Sequence, residues 1–360
     1  MSVVRPLSGR VVRQEYAAES VSRMHDAVPA AERPGPLEAQ PGPLRTMVQE
    51  AYAESDAAFY VYRLRRGEDE HIGLVGEVGT GAFADGRVRG HEAVQPRRVQ
   101  GLVEHFSSAV VRSELVALLH RPGPGVVAAV RRTIAATPTV TFTGPDGWEQ
   151  TVWRVASAAE AVLCEELGSA VHYIADGHHR VAASLAVWER DGRPLDAAVM
   201  CVMYPLDGLS LMAFHRRVSG PVRADELLAL LTKSFEVREL GHPEESGGCC
   251  GVYVDRRWYD VRHTRDRQAG VAGLDAAILD EHVLAPLLGP DPHASPRLQI
   301  APALGGLEAL TQACDEDSGA LFTLRPPSLD QLTEVADRGE VMPPKTTYFD
   351  PKPYAGVFLR

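Results

Sequence analysis

The segment "SAVHYIADGHHRVAASLAVWERDGRP" constrains the fold more tightly than any other stretch of the chain. Val171, Tyr173 and Ile174 form a short apolar run of strand type. Val181, Leu185 and Trp188 then fall at i, i+4 and i+7, the spacing of one helix face. Asp191-Gly192 and Pro194 stop that helix. Only "ADGHHR" lies between the two patterns, so a strand must hand over to a helix through one glycine turn.

That junction has a chemical bias of its own. The first amides of a helix lack internal partners and, with the helix dipole, favour an anion. Gly177 allows a ligand to approach the backbone, and the Arg180 guanidinium in the first turn suits a phosphate or carboxylate in bidentate fashion. His178 and His179 add donors. Asp176 has three readings: helix cap, magnesium ligand, or partner that fixes a histidine. A shared metal for His178 and His179 is disfavoured, because neighbours point about 100° apart on a helix and about 180° apart on a strand.

The rest of the chain mixes strands and helices without strict alternation. "AAFYVYRLRR" (57–66) and "HIGLVGEVGTGAF" (71–83) read as paired strands, 97–107 and 123–135 as helices, and "TPTVTFTGPDGWEQTVWRV" as a hairpin. "AAVMCVMYPLDGLSLMAFHRRV" reads as two strands around a turn at 205–208. Five prolines within 25–48 predict an extended, irregular segment. Beyond 220 come a helix ("ADELLALLTKSF"), short strands ("CGVYVD", "RWYDVR") and a helix near 274–288. A last helix at 328–338 opens with Ser328 and has Gln331 three residues on, a capping-box signature. The expected class is α+β (mixed α/β). The expected divisions are an N-terminal segment over 1–60, a core over 61–220, and a C-terminal α+β lobe over 221–360.

A net charge of -11 argues against binding nucleic acid through its phosphates, which needs a basic face. Five cysteines, two of them adjacent and none in a Cys-x-x-Cys, fit reduced thiols better than a disulfide framework. "MSVVRPLSGRVVRQEY" holds no apolar core of signal-peptide length, and no stretch approaches the 18 or so apolar residues of a membrane span. The expectation is a cytoplasmic protein without nucleic-acid or membrane partners.

"IADGHHRVAASL", the C-terminal "RGEVMPPKTTYFDPK", the upstream "GRVRGHEAV" and "RRVQGLVEHF", and "FHRRV" and "LDAAILDEHVLAPLLG" occur in order over about 76–360. Together they strongly resemble domain-of-unknown-function family 1015. The same landmarks resemble those of free-serine kinases of ParB/sulfiredoxin-like fold: a His-Glu before a helix, an Asp-Gly-His-His-Arg turn and a late Lys-Thr-Thr. The resemblance implies a ParB/sulfiredoxin-like nucleotide-binding core. The implied activity moves a phosphoryl group from ATP or ADP to the hydroxyl of free L-serine or a related hydroxy amino acid.

Phosphoryl transfer needs a phosphate cradle, a cation and a group that orients the acceptor. Gly177, His178, His179 and Arg180 are the expected cradle. Magnesium is the expected cation, held by the phosphates and by Asp176. Glu92 is the candidate base, with Asp176 and His179 as further catalytic candidates. His91, Lys345, Thr346, Thr347 and Arg216 are candidates for the acceptor site. Each has a plainer alternative: a helix-start carboxylate for Glu92, a surface or core histidine for His91, a proline loop for "MPPKTT", and an edge-strand surface pair for His215-Arg216. Glu92 and the Lys345-Thr347 segment are expected to face the glycine turn across one cleft.

Competing readings are a nucleotide-binding regulator of ParB-like fold, a metal-dependent hydrolase around Asp176, His178 and His179, and a sulfiredoxin-type redox enzyme. The hydrolase lacks a His-Glu-x-x-His motif, and the redox enzyme lacks a cysteine in the turn.

Overall fold

The computed structural model describes residues 3–31, 41–108, 111–242, 247–264 and 267–360. It divides into two units, one of Met1–Gly90, Val94–Leu209 and Pro351–Arg360, the other of His91–Ala93 and Ser210–Asp350. Both mix helices with sheet, as the α+β reading expects.

The first unit is built on a mixed sheet. Its strands run in the order Val88–Arg89, His172–Asp176, Val116–His120, Ala198–Pro205, Asp69–Gly79, Tyr60–Arg66, Glu149–Arg154, Val140–Thr143, with Val4–Arg5 added on Asp69–Gly79. Two pairings are parallel, His172–Asp176 with Val88–Arg89 and Ala198–Pro205 with Val116–His120. Val116–His120 and nearly all of Ala198–Pro205 are buried, which is why these segments read as apolar runs without alternation. The hairpin of Tyr60–Arg66 and Asp69–Gly79 closes at Arg66↔Asp69, with Gly67 left-handed in the turn. Helices Pro96–Ser108, Pro124–Ile134, Glu160–Ser169 and His178–Arg190 belong to this unit. Its core joins Val61, Leu74, Leu118, Leu163, Ile174 and Val181.

The second unit carries a six-stranded antiparallel sheet in the order Phe235–Leu240, Arg257–His263, Cys250–Val254, Ala320–Leu324, Phe214–Val218, Leu298–Pro302. Helix Asp275–Leu279 runs into a π turn at Asp280–Leu284 and resumes as Ala285–Leu288. Pro286 stands two residues past the widened turn. A proline ring clashes with the carbonyl four residues back in an α-helix, and widening the preceding turn relieves that clash. Helix Leu329–Asp337 forms the complete capping box between Ser328 and Gln331.

Two expectations are corrected. The proline-rich span is not irregular throughout: helices Ala17–Ala31 and Pro41–Ala51 occupy both its ends, and 32–40 lies outside the described residues. Pro41 and Pro43 fall in a first helical turn, where the missing N–H has no helical partner to lose. The turn at 205–208 forms as expected, closed by Gly208 N–H on Pro205 O at 2.8 Å; strand Ala198–Pro205 precedes it, and Ser210–Met212 follows it and pairs with Tyr348–Asp350. Finally, Phe214–Val218 is no edge strand; it lies between Ala320–Leu324 and Leu298–Pro302, so His215 and Arg216 are buried rather than surface residues.

Candidate functional site

In the first unit, strand His172–Asp176 delivers Gly177 at φ 108°, ψ 22°, and helix His178–Arg190 starts at once. An L side chain rarely adopts that backbone, and a Cβ there would lie 3.2 Å from Arg180 Nε and from Val116 Cγ2. No side chain caps the helix at Gly177.

The capping reading of Asp176 is therefore not what the structure holds. Its carboxylate is bonded by Arg180 Nη2 on Oδ2 and by Lys352 Nζ on Oδ1. Burial pushes this carboxyl up, but the charges of Arg180, Lys352 and His178 outweigh it and hold it at about 2. With a cation on each oxygen, Asp176 does not fit a magnesium ligand. Arg180 is equally committed: its Nη1 donates to Leu115 O at 2.7 Å. It bridges the end of one strand and the start of the helix, so the bidentate grip expected of it is taken up internally. The i, i+4 spacing of Asp176 and Arg180 was the available sign of this pair.

His178 is buried, and His179 Nε2 accepts the Gln95 backbone N–H at 3.0 Å. That bond assigns His179 the neutral tautomer with its proton on Nδ1. Gly90 lies against His178, where a Cβ would come within 3.1 Å of the imidazole Cδ2. Gly90 and Gln95 of this unit thus each touch one of the two histidines of the turn.

In the second unit, His91–Ala93 meets the segment 342–347. Met342 N–H donates to His91 O at 2.9 Å, and Glu92 forms a parallel bridge with Met342. His91 Nε2 and Thr347 Oγ1 share a hydrogen bond of 3.0 Å. Burial lowers the His91 imidazole to about 4, so it is neutral at physiological pH. Glu92 is half-buried. Thr346 is buried and its hydroxyl donates to Pro343 O at 2.7 Å, closing the proline turn. Lys345 is exposed, sits at φ 57°, and holds its Nζ 5.5 Å from the Phe214 ring centroid.

Arg216 explains why this turn holds its shape. It is fully buried, and Nη2 donates to Pro344 O and Lys345 O, each at 2.9 Å. Burial lowers its guanidinium to about 10, with the Asp280 charge opposing. Arg216 is accordingly a clamp on the Pro-Lys backbone rather than a free acceptor-site cation. The structure thus brings His91, Glu92, Thr346, Thr347 and Arg216 to one segment of the second unit, and Asp176 to Arg180 to one turn of the first.

Sequence reading passed over Lys352, Gly90 and Gln95. Lys352 stands in "FDPK", two residues past the last strand of "TTYFD", where nothing in the local pattern points to Asp176.

A family model described as "Protein of unknown function (DUF1015)" matches residues 20–280, and the chain belongs to that family. A free serine kinase variant solved in complex with ADP is similar, with TM-score 0.40 and 14% identity over 78% of this chain and 89% of that one. A free serine kinase in complex with AMP gives TM-score 0.39 and 14% identity over 84% and 92%. C-terminally truncated SbnI from Staphylococcus aureus gives TM-score 0.41 and 11% identity over 78% and 85%. Comparison with curated proteins finds no match. Among the described residues, no helix is long and apolar enough to cross a membrane.

Proposed function

We propose that this protein is a small-molecule kinase that moves a phosphoryl group from ATP or ADP to the hydroxyl of free L-serine or a related hydroxy amino acid. The observation that carries the reading is the junction at Gly177, where strand His172–Asp176 passes at φ 108° straight into helix His178–Arg190 with Asp176, Arg180 and Lys352 paired beside it.

In this reading the helix N-terminus at 177–180 receives the nucleotide phosphates. Asp176 is a positioning residue that fixes Arg180 and Lys352 beside the turn. Glu92 takes the acceptor's hydroxyl proton as the new oxygen–phosphorus bond forms and the bond to the departing nucleotide breaks. A carboxylate is a weak base, but a loose transition state asks for positioning more than for deprotonation. Lys345 is the cation for the acceptor carboxylate, and Thr347, oriented through His91, supplies a hydroxyl beside it.

The second reading is a regulator that holds nucleotide without transferring phosphate. The internal commitment of Arg180 favours it, because a guanidinium already paired with Asp176 contributes less to a transition state.

Purified protein is incubated with magnesium–ATP or magnesium–ADP as substrate and a panel of free hydroxy amino acids, with products read by mass spectrometry. The kinase reading expects a phospho-amino acid that disappears with Glu92→Gln. Nucleotide bound with no product from any acceptor selects the regulator.

A further inference from the structure

A second cluster of reactive side chains lies in the second unit and plays no part in the kinase reading. Cys249 comes from the bend before strand Cys250–Val254, His263 from the end of strand Arg257–His263, and Asp275 from the start of helix Asp275–Leu279. One ligand-type atom from each lies within 4.8 Å of the other two. Three separate chain segments thus converge a thiol, an imidazole and a carboxylate on one point.

The surroundings are those of an ordered donor set. His263 Nε2 donates to Asp275 Oδ1 at 2.8 Å, and Arg267 Nη2 donates to Asp275 Oδ2 at 3.1 Å. Cys249 is buried, and its thiol donates to Val261 O at 3.1 Å. His263 also lines a cavity of about 600 Å³ with Phe235, Arg267, Glu281 and His282, so the imidazole side of the cluster is open to small molecules.

We propose that Cys249, His263 and Asp275 form a binding site for a zinc-class divalent cation. Thiolate, imidazole and carboxylate together suit a borderline-soft ion of tetrahedral preference and do not suit magnesium or calcium, which take oxygen ligands. Three protein ligands leave a fourth position for water or a small ligand. On binding, the Cys249 proton leaves to solvent and its bond to Val261 O is given up; the His263–Asp275 hydrogen bond is replaced by bonds of both groups to the ion, with the imidazole neutral and its proton on the nitrogen that does not ligate. Arg267 stays on the carboxylate oxygen that does not ligate, the outer partner such ligands ordinarily have.

The test uses the full chain stripped with chelator and titrated with cobalt(II), a spectroscopic stand-in for zinc. One equivalent of cobalt is expected to give a near-ultraviolet thiolate-to-metal band and the visible bands of four-coordinate cobalt. One equivalent of zinc should abolish both. Cys249→Ser should remove the near-ultraviolet band, whereas Cys164→Ser should leave it. His263→Gln should weaken zinc by at least the ~10–100-fold that loss of an outer partner costs. Circular dichroism checks that each variant is folded, and the wild-type titration decides the matter even where one is not. A folded wild type without a thiolate–cobalt band overturns the site. So does a band that survives Cys249→Ser and vanishes with Cys164→Ser.

Discussion

His91 Nε2 and Thr347 Oγ1 are 3.0 Å apart across 256 residues of sequence. This bond and the Met342-to-His91 backbone bond join the two ends of the second unit's candidate site. Thr347→Val keeps the shape and removes the hydroxyl from a buried imidazole. The expected cost is about 1–3 kcal/mol in urea unfolding. Thr347→Ser should restore most of it. Equal stability of the valine and serine variants would show that the bond contributes nothing.

The buried histidines set a pH dependence. Burial lowers His91 from its ordinary 6.5 to about 4; burial and the neighbouring His172 lower His120 to about 3. Each is neutral in the folded chain and protonated in the unfolded chain between those values and 6.5. Their contribution is complete above about pH 6.5 and is lost as pH falls through the folded values. For His91 the loss is on the order of 3 kcal/mol by pH 4. Asp176 acts in a lower window, since its stabilisation is complete above its ordinary 3.8 and fades toward about 2. Melting temperature against pH should therefore already decline between pH 6.5 and 4, and His91→Gln should flatten that limb. A flat wild-type profile there would contradict the buried neutral state.

Gly177 holds a backbone that an alanine adopts only with strain, and its Cβ would press on Arg180 and Val116. Gly177→Ala is expected to cost about 1–2 kcal/mol from the backbone alone. Gly86→Ala, also at positive φ but with nothing within 4 Å of its Cβ, separates backbone strain from collision. A larger loss at Gly177 than at Gly86, read by denaturant unfolding, is the expected order.

Arg180 connects stability to the proposed nucleotide site. Arg180→Gln removes the cation from Asp176 Oδ2 and the donor from Leu115 O. Nucleotide affinity, measured by calorimetry, should fall about tenfold, equivalent to about 1.4 kcal/mol. Lys352→Gln, at a half-exposed position, should change folding stability by less than about 1 kcal/mol. Unchanged affinity in Arg180→Gln would remove the turn from consideration as a phosphate cradle.

Arg216 clamps two successive carbonyls, and Lys345, in a left-handed conformation, lies under that clamp. Arg216→Met leaves both carbonyls without their donor, an expected loss of about 2–4 kcal/mol. Trypsin should then cut after Lys345 faster than in wild type. Arg216→Lys keeps the charge but not the fork, and should recover only part of the resistance.

What could be read from the sequence was local. The strand, glycine turn and helix at 172–190 and the Ser328–Gln331 box are set by residues within a few positions of each other, and both formed as read. What escaped depended on distant partners. Ser210–Met212 finds its strand in Tyr348–Asp350, and Phe214–Val218 is interior only because Leu298–Pro302 covers its outer side. Arg216 looked like a surface cation for the same reason, since its partners lie in the Pro344-Lys345 turn. The grouping of His91, Glu92 and Thr347 was expected from resemblance, whereas the pairing of Asp176 with Lys352 had no local mark.

The π turn at Asp280–Leu284 gives the helix that contains it two angular phases. Position maps to direction at about 100° per residue on either side, but not across the widened turn. Leu279 before it and Leu287 and Leu288 after it all reach the same core because the turn absorbs one extra residue. Removing a single residue within 280–284 would turn the helix regular and leave Leu279 on one side and Leu287 and Leu288 on the other facing that core. The same removal between 275 and 279 would leave the widened turn in place and rotate the helix start instead, carrying Asp275 away from His263.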